Sequence, residues 1–233
     1  MNLHWHENKL MNAFYKFGST ILLILILFAC SGKETKKKNR VLPFIGNFDI
    51  EYKLIDGVEI ADTIFPTIPY FYFWNEDSVK VTSKDLQGKI WVTDFFFTTC
   101  STICPRMTDQ MKRLNGLLSD LESEVQFISF SINPIHDTPS QLKMYRKNHQ
   151  INAKNWVFLT GDEAETHRLG IEDFRVFAGH DDLAEDGYAH SEAFTLVDKE
   201  GYVRGVYNVA DSKQVDQLEK DIRKLLKYEY NYN

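Results

Sequence analysis

The sequence predicts an α/β fold, in which helices pack on the faces of one buried sheet. Three observations lead to this expectation. Short runs of aromatic and β-branched residues recur after residue 88, as buried strands require. Stretches with apolar residues at helical spacing separate these runs. The 233 residues are 43% apolar and include 17 Phe, which is ample for one sizeable core.

The predicted elements follow one another with Gly or Pro at most junctions. Pro139 suits the first turn of a helix because its missing N–H has no partner there. The last two strands are joined by a short turn containing Gly201, which predicts a hairpin. In chain order the elements are a strand at 89–97, a helix at 103–118, a strand at 125–132, a helix at 137–148, a strand at 156–159, a helix at 161–169, strands at 192–197 and 202–207, and a helix at 212–227.

Two additions flank this series. Residues 41–85 mix β-rich runs, at 49–55 and 70–74, with Gly and Pro, which predicts one or two hairpins beside the main sheet. Residues 179–187 form a loop rich in Gly and Asp, where His180 is interpreted as part of a solvated acidic segment. The element order predicts a thioredoxin-like sandwich with an N-terminal β-hairpin extension and a loop insertion before the last hairpin.

The N-terminus predicts export and lipid anchoring. Residues 21–28 (ILLILILF) are too short to span a bilayer but suit the apolar core of a signal peptide. They lead to Ala29-Cys30, which resembles a bacterial lipobox. We therefore expect a lipoprotein signal peptide at 1–29, an acylated Cys30 opening a linker at 30–42, and a folded domain at 43–230 on the periplasmic side of a bacterial membrane. An uncleaved signal anchor is the alternative.

The charge of the chain argues against nucleic acid as a partner. The net charge is -6 and the pI about 5.7. The one basic cluster, Lys36 to Lys38 with Arg40, lies beside the N-terminal apolar run and is interpreted as a solvated tether. No basic footprint for nucleic acid remains.

Cys100 and Cys104 carry the strongest chemical signal. They follow a predicted buried strand and meet the start of a helix, where the dipole and free N–H groups stabilise a thiolate. At a spacing of four the thiols are expected to share one helix face, within disulfide range. The same spacing allows two thiolates to hold one metal ion. A redox couple, a metal site and an inert pair all remain open from these residues alone.

The motif around these cysteines resembles the Sco/SenC family, which serves cytochrome c oxidase assembly. The resemblance rests on residues 95–107 (FFFTTCSTICPRM), 129–139 (SFSINPIHDTP), 155–161 (NWVFLTG) and 188–201 (YAHSEAFTLVDKEG). It implies a thioredoxin fold and a copper site formed by Cys100, Cys104 and His190. It also implies a membrane-tethered chaperone that delivers copper to the dinuclear centre of the oxidase's copper-bearing subunit.

Several expectations qualify this assignment. Two thiolates and an imidazole favour copper, whereas a structural zinc site requires a fourth protein ligand. A thiol–disulfide oxidoreductase acting on exported proteins is the main alternative; a peroxidase and a copper or redox sensor are weaker ones.

Asp94 stands where thioredoxins place a buried proton-handling Asp, although an Asp hydrogen-bonded at a sheet edge is equally compatible. Asn133 departs from the Asp that family members often carry before Pro134.

Overall fold

The computed structural model describes residues 40–181 and 187–232. The strands in them are β1 (Asp49–Ile55), β2 (Val58–Ile64), β3 (Tyr72–Asn75), β4 (Lys80–Thr82), β5 (Ile90–Phe96), β6 (Val125–Ser131), β7 (Trp156–Thr160), β8 (Ala178–His180), β9 (Tyr188–His190), β10 (Ala193–Val197) and β11 (Val203–Asn208). The α-helices in them are α1 (Cys104–Leu117), α2 (Pro139–Asn148), α3 (Glu163–Arg168) and α4 (Ser212–Lys224). One π-helical turn extends α3 over Leu169–Asp173 and another extends α4 over Leu225–Glu229.

The predicted signal peptide, Cys30 and most of the predicted linker lie outside the described residues. Among those that are described, no helix has the length and apolar composition needed to cross a bilayer.

The central sheet has seven strands in the order β11-β10-β5-β6-β7-β3-β4. Strands β5, β6 and β7 run parallel, and their carboxyl ends therefore meet at one edge. β10 and β3 join this core antiparallel on its two sides. Every residue of β5 is buried, as expected for an interior strand covered on both faces.

Helices cover the two faces of the sheet unequally. α1 lies between α4 and α2, with Arg113 paired to Asp216 and the hydroxyls of Thr108 and Tyr145 2.7 Å apart. On the face of the sheet that these three helices cover, Tyr145 of α2 packs against Phe96 and Phe158. Alternate strand residues point to the opposite face, where the extension of α3 covers a second aromatic layer. That layer comprises Phe71, Phe73, Phe95, Phe130 and Phe174.

The thioredoxin-like α/β prediction is confirmed, with two differences in detail. The hairpin β1–β2 forms a separate two-stranded sheet, as expected, but β3–β4 extends the main sheet because Trp74 pairs with Thr160 of β7. The loop insertion is bounded by an unpredicted two-stranded ladder, β8–β9. Strands of three residues are too short for an alternating pattern to be visible in the sequence.

Candidate metal centre

The site lies at the carboxyl end of the parallel strands. The segment after β5 carries Cys100, and α1 begins at Cys104. The segment after β6 reaches the same edge and brings Asp137 beside Thr98. Loops at this edge of an open α/β sheet commonly form binding sites, because the strands fix them from below.

The expectation that both thiols share one helix face is wrong. Cys100 lies in the loop before α1, and only Cys104 is helical. Pro105 explains the boundary: in a helix begun at Cys100, its ring would clash with the carbonyl of Ser101. The backbone N–H of Cys104 instead points to Cys100 Sγ at 3.5 Å. The Cys100 sulfur therefore sits at the positive end of the helix, where an anion is stabilised.

His190 completes the site from a distant part of the chain. It ends β9, where it pairs with Ala178 of β8, and its Nε2 lies 3.0 Å from Cys104 Sγ. Its Nδ1 lies 3.3 Å from the carbonyl oxygen of Ser191, which can only accept. This contact orients the ring so that Nε2 is the nitrogen that faces the Cys104 sulfur. Phe97 holds the ring edge-on from the other side, with 5.9 Å between centroids.

Together the three side chains form a compact donor set. One ligand atom each from Cys100, Cys104 and His190 lie within 4.8 Å of one another, and no other such group of His, Cys, Asp or Glu occurs in residues 40–181 and 187–232. All three residues are buried, and Cys104 is fully so. Both thiols are free. Arg106 of α1 and Glu192, which follows β9, form an ion pair. It ties the helix that carries Cys104 to the segment that carries His190.

The two thiols differ in acidity. A hydrogen bond from the Cys104 thiol lowers the pKa of Cys100 to about 3, against the opposing effect of burial, and a contact with His190 adds to the lowering. Burial, reinforced by the neighbouring Cys100 sulfur, raises the pKa of Cys104 above its ordinary range. The pair therefore consists of a thiolate at Cys100 and a buried thiol at Cys104.

Asp94 lies in β5, on the same side of the sheet as Cys104. Burial raises its pKa to about 6, and a hydrogen bond from Ser129 and the charge of His190 offset this in part. Burial is the main cause of the raised pKa of both Cys104 and Tyr145, and the charge of Asp94 adds to it. Its Oδ1 has no hydrogen-bond partner among the described residues. Because β5 is interior, Asp94 does not lie at a sheet edge.

Asp137 is a supporting residue that sequence reasoning missed. Its fully buried carboxylate accepts hydrogen bonds from the Thr98 backbone N–H at 2.9 Å, the Ser131 hydroxyl at 2.7 Å and the Thr98 hydroxyl. His136 Nδ1 lies 3.0 Å from it. It thereby ties the segment just before Cys100 to the end of β6. In the sequence, the run Asp137-Thr138-Pro139 predicts a helix start and lies within the stretch at 129–139 that resembles the family, but neither signal assigns Asp137 this role.

Glu163 supports the ladder that carries His190. Its Oε1 lies 2.7 Å from His180 Nε2 and accepts a hydrogen bond from the Tyr188 hydroxyl at 3.0 Å. Cross-strand pairing places His180, Tyr188 and His190 on one face of β8–β9. The interpretation of His180 as part of a purely solvated acidic loop is therefore incomplete, since its ring is paired to α3.

Fold and site together define a class: a thioredoxin-fold protein with a dithiol and one imidazole at the carboxyl edge of its parallel strands. The SCO1/SenC family model matches residues 63–227. The chain belongs to the SCO1/SenC family.

Similar proteins agree with this membership. The SCO1 protein homolog of Bacillus subtilis is 34% identical over 168 residues, which cover 72% of this chain and 86% of that protein. A SCO1/SenC family lipoprotein from Bacillus anthracis is 32% identical, with a TM-score of 0.62 over 68% of this chain and 94% of its own. BsSco is a member of the Sco family of cytochrome c oxidase assembly proteins, and its structure identified a disulfide switch. It is 34% identical, with a TM-score of 0.60 over 67% of this chain and 91% of its own.

A more distant relative has been solved with its metal. Arabidopsis thaliana ScoI with copper bound is 25% identical, with a TM-score of 0.56 over 68% of this chain and 99% of its own.

Proposed function

We propose that this protein is a membrane-tethered copper chaperone that holds one copper ion through Cys100, Cys104 and His190. It would deliver that ion to the dinuclear copper centre of cytochrome c oxidase. The observation that carries this proposal is the convergence of two sulfurs and one imidazole nitrogen within 4.8 Å. Copper-bound Arabidopsis ScoI and the oxidase-assembly role of the BsSco family support it.

The donor set favours copper over zinc. Two soft thiolates with an imidazole suit Cu(I), whereas structural zinc is held by four protein ligands. No other His, Cys, Asp or Glu in the described part of the chain joins the cluster. The raised pKa of Cys104 means that metal binding must displace its proton. Asp94, buried on the same side of the sheet with a pKa near 6, is proposed to accept that proton.

The unequal burial of the three ligands suggests a route for release. Cys104 is fully buried, whereas Cys100 and His190 retain 7% and 8% exposure. A thiolate of the acceptor would therefore approach the metal from the side of Cys100 and His190. Transfer would proceed by exchange of sulfur ligands, with His190 leaving as the β8–β9 ladder shifts.

The lipid tether is part of the same proposal. Cys30 follows an apolar run and a small residue, and a Bacillus anthracis member of the family is a lipoprotein. Acylation of Cys30 would hold the domain at the periplasmic surface of a bacterial membrane, together with the membrane-bound oxidase subunit. Donor and acceptor would then meet on one surface.

A second candidate function, reduction of the acceptor's cysteines, is favoured by the unequal pKa values of the two thiols. The Cys100 thiolate would attack a substrate disulfide, form a mixed disulfide and expel one substrate thiolate. Cys104, once deprotonated, would attack Cys100 Sγ and release the second substrate thiolate. Two electrons pass to the substrate, and the Cys100–Cys104 disulfide must afterwards be reduced by an external thiol.

One experiment separates the two functions. The copper-loaded protein is mixed with the metal-free, reduced copper domain of the oxidase subunit, and the metal-free dithiol protein is mixed with its oxidised form. Delivery predicts metal transfer in the first mixture, and it predicts that His190→Ala, which lacks one copper ligand, holds less copper and delivers correspondingly less. The same variant should exchange thiols normally, because His190 takes no part in that reaction. Thiol reduction predicts appearance of substrate thiols in the second mixture, unchanged in His190→Ala. Failure of metal transfer with intact thiol exchange would overturn the chaperone proposal.

A further inference from the structure

The hairpin β1–β2 is exposed along its whole length. All seven residues of each strand are exposed. A two-stranded sheet normally needs an apolar contact for stability, and apolar surface left open in this way marks an interaction site. The family match begins at residue 63, so nearly the whole hairpin precedes it.

One face of the hairpin is apolar. Cross-strand partners share a face, and the pairs Ile50–Thr63, Tyr52–Ala61 and Leu54–Glu59 lie on the same side. The exposed fractions of Ile50, Tyr52 and Leu54 are 53%, 62% and 77%. Among these six residues only Glu59, next to the turn, is charged. We call this the Tyr52 face.

The opposite face carries most of the charge. Lys53 lies 2.7 Å from Asp62 and 3.6 Å from Glu51. These three residues share that side with Asp49 and with the exposed aliphatic residues Ile55, Val58, Ile60 and Ile64. Both faces of the hairpin therefore expose apolar side chains, but four of the five charged residues of its two strands lie on this side, which makes the Tyr52 face the less charged of the two. A Tyr between two aliphatic residues is typical of the interface between a bilayer and water.

The hairpin projects from the end of the domain opposite the metal centre. At its base Ile45 N–H donates to Val203 O at 2.9 Å, and Ile68 N–H donates to Gly201 O at 2.8 Å. The β10–β11 turn that contains Gly201 lies at the amino end of β5, because Val197 pairs with Trp91. The metal centre lies beyond the other end of β5, about 20 Å away at 3.3 Å per residue.

The same end receives the chain from the anchor. Buried Arg204 donates to the carbonyl oxygens of Leu42 and Pro43 at 2.6 and 3.1 Å, and Glu229 accepts from Val41 N–H at 2.8 Å. This clamp fixes residues 41–43 beside the hairpin base. Cys30 precedes Arg40 by ten residues, which span at most about 36 Å.

We infer that the Tyr52 face of the β1–β2 hairpin docks on the lipid bilayer that carries the Cys30 anchor. The inference rests on the lipid tether of the proposed function. The acylated Cys30 and the hairpin then both contact the membrane at one end of the domain. The metal centre faces away from the bilayer, towards its acceptor. The bilayer is the docking partner because, in every lipid-anchored molecule, the linker keeps the membrane surface within reach of the hairpin.

Tryptophan scanning of the full lipidated protein in phosphatidylcholine vesicles tests this. Tyr52→Trp and Ala61→Trp probe the Tyr52 face, and Glu51→Trp and Asp62→Trp are matched controls on the opposite face. Brominated phosphatidylcholine quenches a tryptophan that contacts its acyl chains. We expect at least twofold stronger quenching of the added tryptophan on the Tyr52 face than in the controls, after subtraction of the parent protein's fluorescence.

The other outcomes overturn the inference and are distinguishable. Equal quenching, or none, in protein that floats with the vesicles removes hairpin docking and leaves the tether intact. If chemical crosslinking of the hairpin also rises with the protein's surface density, the occupant is a second copy of this chain. Protein that does not float with the vesicles defeats the tether, and the inference with it. Copper affinity measured on the same samples reports separately on the metal centre.

Discussion

The carboxylate of Asp137 accepts a 2.9 Å hydrogen bond from the backbone N–H of Thr98, a residue 39 positions earlier in the chain. Thr98 lies two residues before Cys100. The contact joins the segments after β5 and β6, and it fixes where the Cys100 sulfur stands relative to Cys104 and His190. Four polar groups converge on this one buried side chain.

Asp137→Asn should weaken copper binding by about tenfold to a hundredfold, the usual effect of losing a residue that orients a ligand. Loss of charge-assisted hydrogen bonds should also destabilise the fold by about 1–3 kcal/mol. Competitive Cu(I) titration and chemical unfolding measure the two effects. Asp77→Asn, which removes an exposed partner of Lys143, is the matched control and should change neither. Lower stability with unchanged copper affinity would show that Asp137 does not position Cys100.

Glu163→Ala should weaken copper binding about tenfold, because it releases His180 and Tyr188 from α3 and loosens the ladder that carries His190. Faster amide hydrogen exchange in β9 should accompany the loss. Glu165→Ala changes a carboxylate on the same helix that pairs with Arg168, and it should leave affinity unchanged. Equal affinities in the two variants would contradict the positioning role.

In the reduced, metal-free protein, alkylation of Cys100 by iodoacetamide should stay nearly constant from pH 8 down to about pH 4, because its pKa lies near 3. An ordinary thiol loses about tenfold in rate per pH unit below its pKa of about 8.5. Cys104→Ala removes the main hydrogen bond that lowers this pKa, so the fall in rate should move to higher pH. A profile that falls from pH 8 in the unsubstituted protein would refute the thiolate assignment.

Asp94→Asn should stabilise the reduced, metal-free protein at pH 8 by about 3 kcal/mol and at pH 4 hardly at all. Burial raises the pKa of Asp94 from 3.8 to about 6. The carboxyl group therefore favours folding below pH 4, and this contribution is lost as the pH rises through 6. Unfolding of both proteins across this range gives the difference.

Asp120→Asn is the control of opposite sign. The Arg223 side chain lowers the pKa of Asp120, so the stabilisation from its charge is present above its ordinary pKa and fades as the pH falls. A stability difference between the Asp94 variant and the parent protein that does not grow between pH 4 and pH 6 would show that Asp94 ionises normally in the fold.

Local patterns made much of the fold predictable. The all-buried β5 and the apolar stripe of α1 are visible in sequence because their periods persist over seven or more residues. The dithiol followed from Cys100, Cys104 and Pro105. His190 came from family resemblance alone, since a single histidine 86 residues from Cys104 has no local pattern that marks it as a partner.

Tertiary contacts account for what the sequence did not reveal. Pairing of Trp74 with Thr160 draws β3 into the main sheet, and no local signal specifies a partner strand so distant in sequence. Asp137 resembles any helix-flanking Asp until β6 brings it beside Thr98. The β8–β9 ladder is held by a contact of His180 with α3, which an alternation of apolar residues does not encode.

Anaerobic Cu(I) titration against a competing chelator tests the central claim most directly. The protein is residues 31–233 with the reduced dithiol, compared with its His190→Ala and Cys100→Ser variants. The proposed site predicts a single tight equivalent that His190→Ala weakens and Cys100→Ser abolishes. Tight binding that is indifferent to His190→Ala would reduce the site to a bare dithiol and favour thiol–disulfide exchange, and no competitive binding at all would contradict the copper assignment.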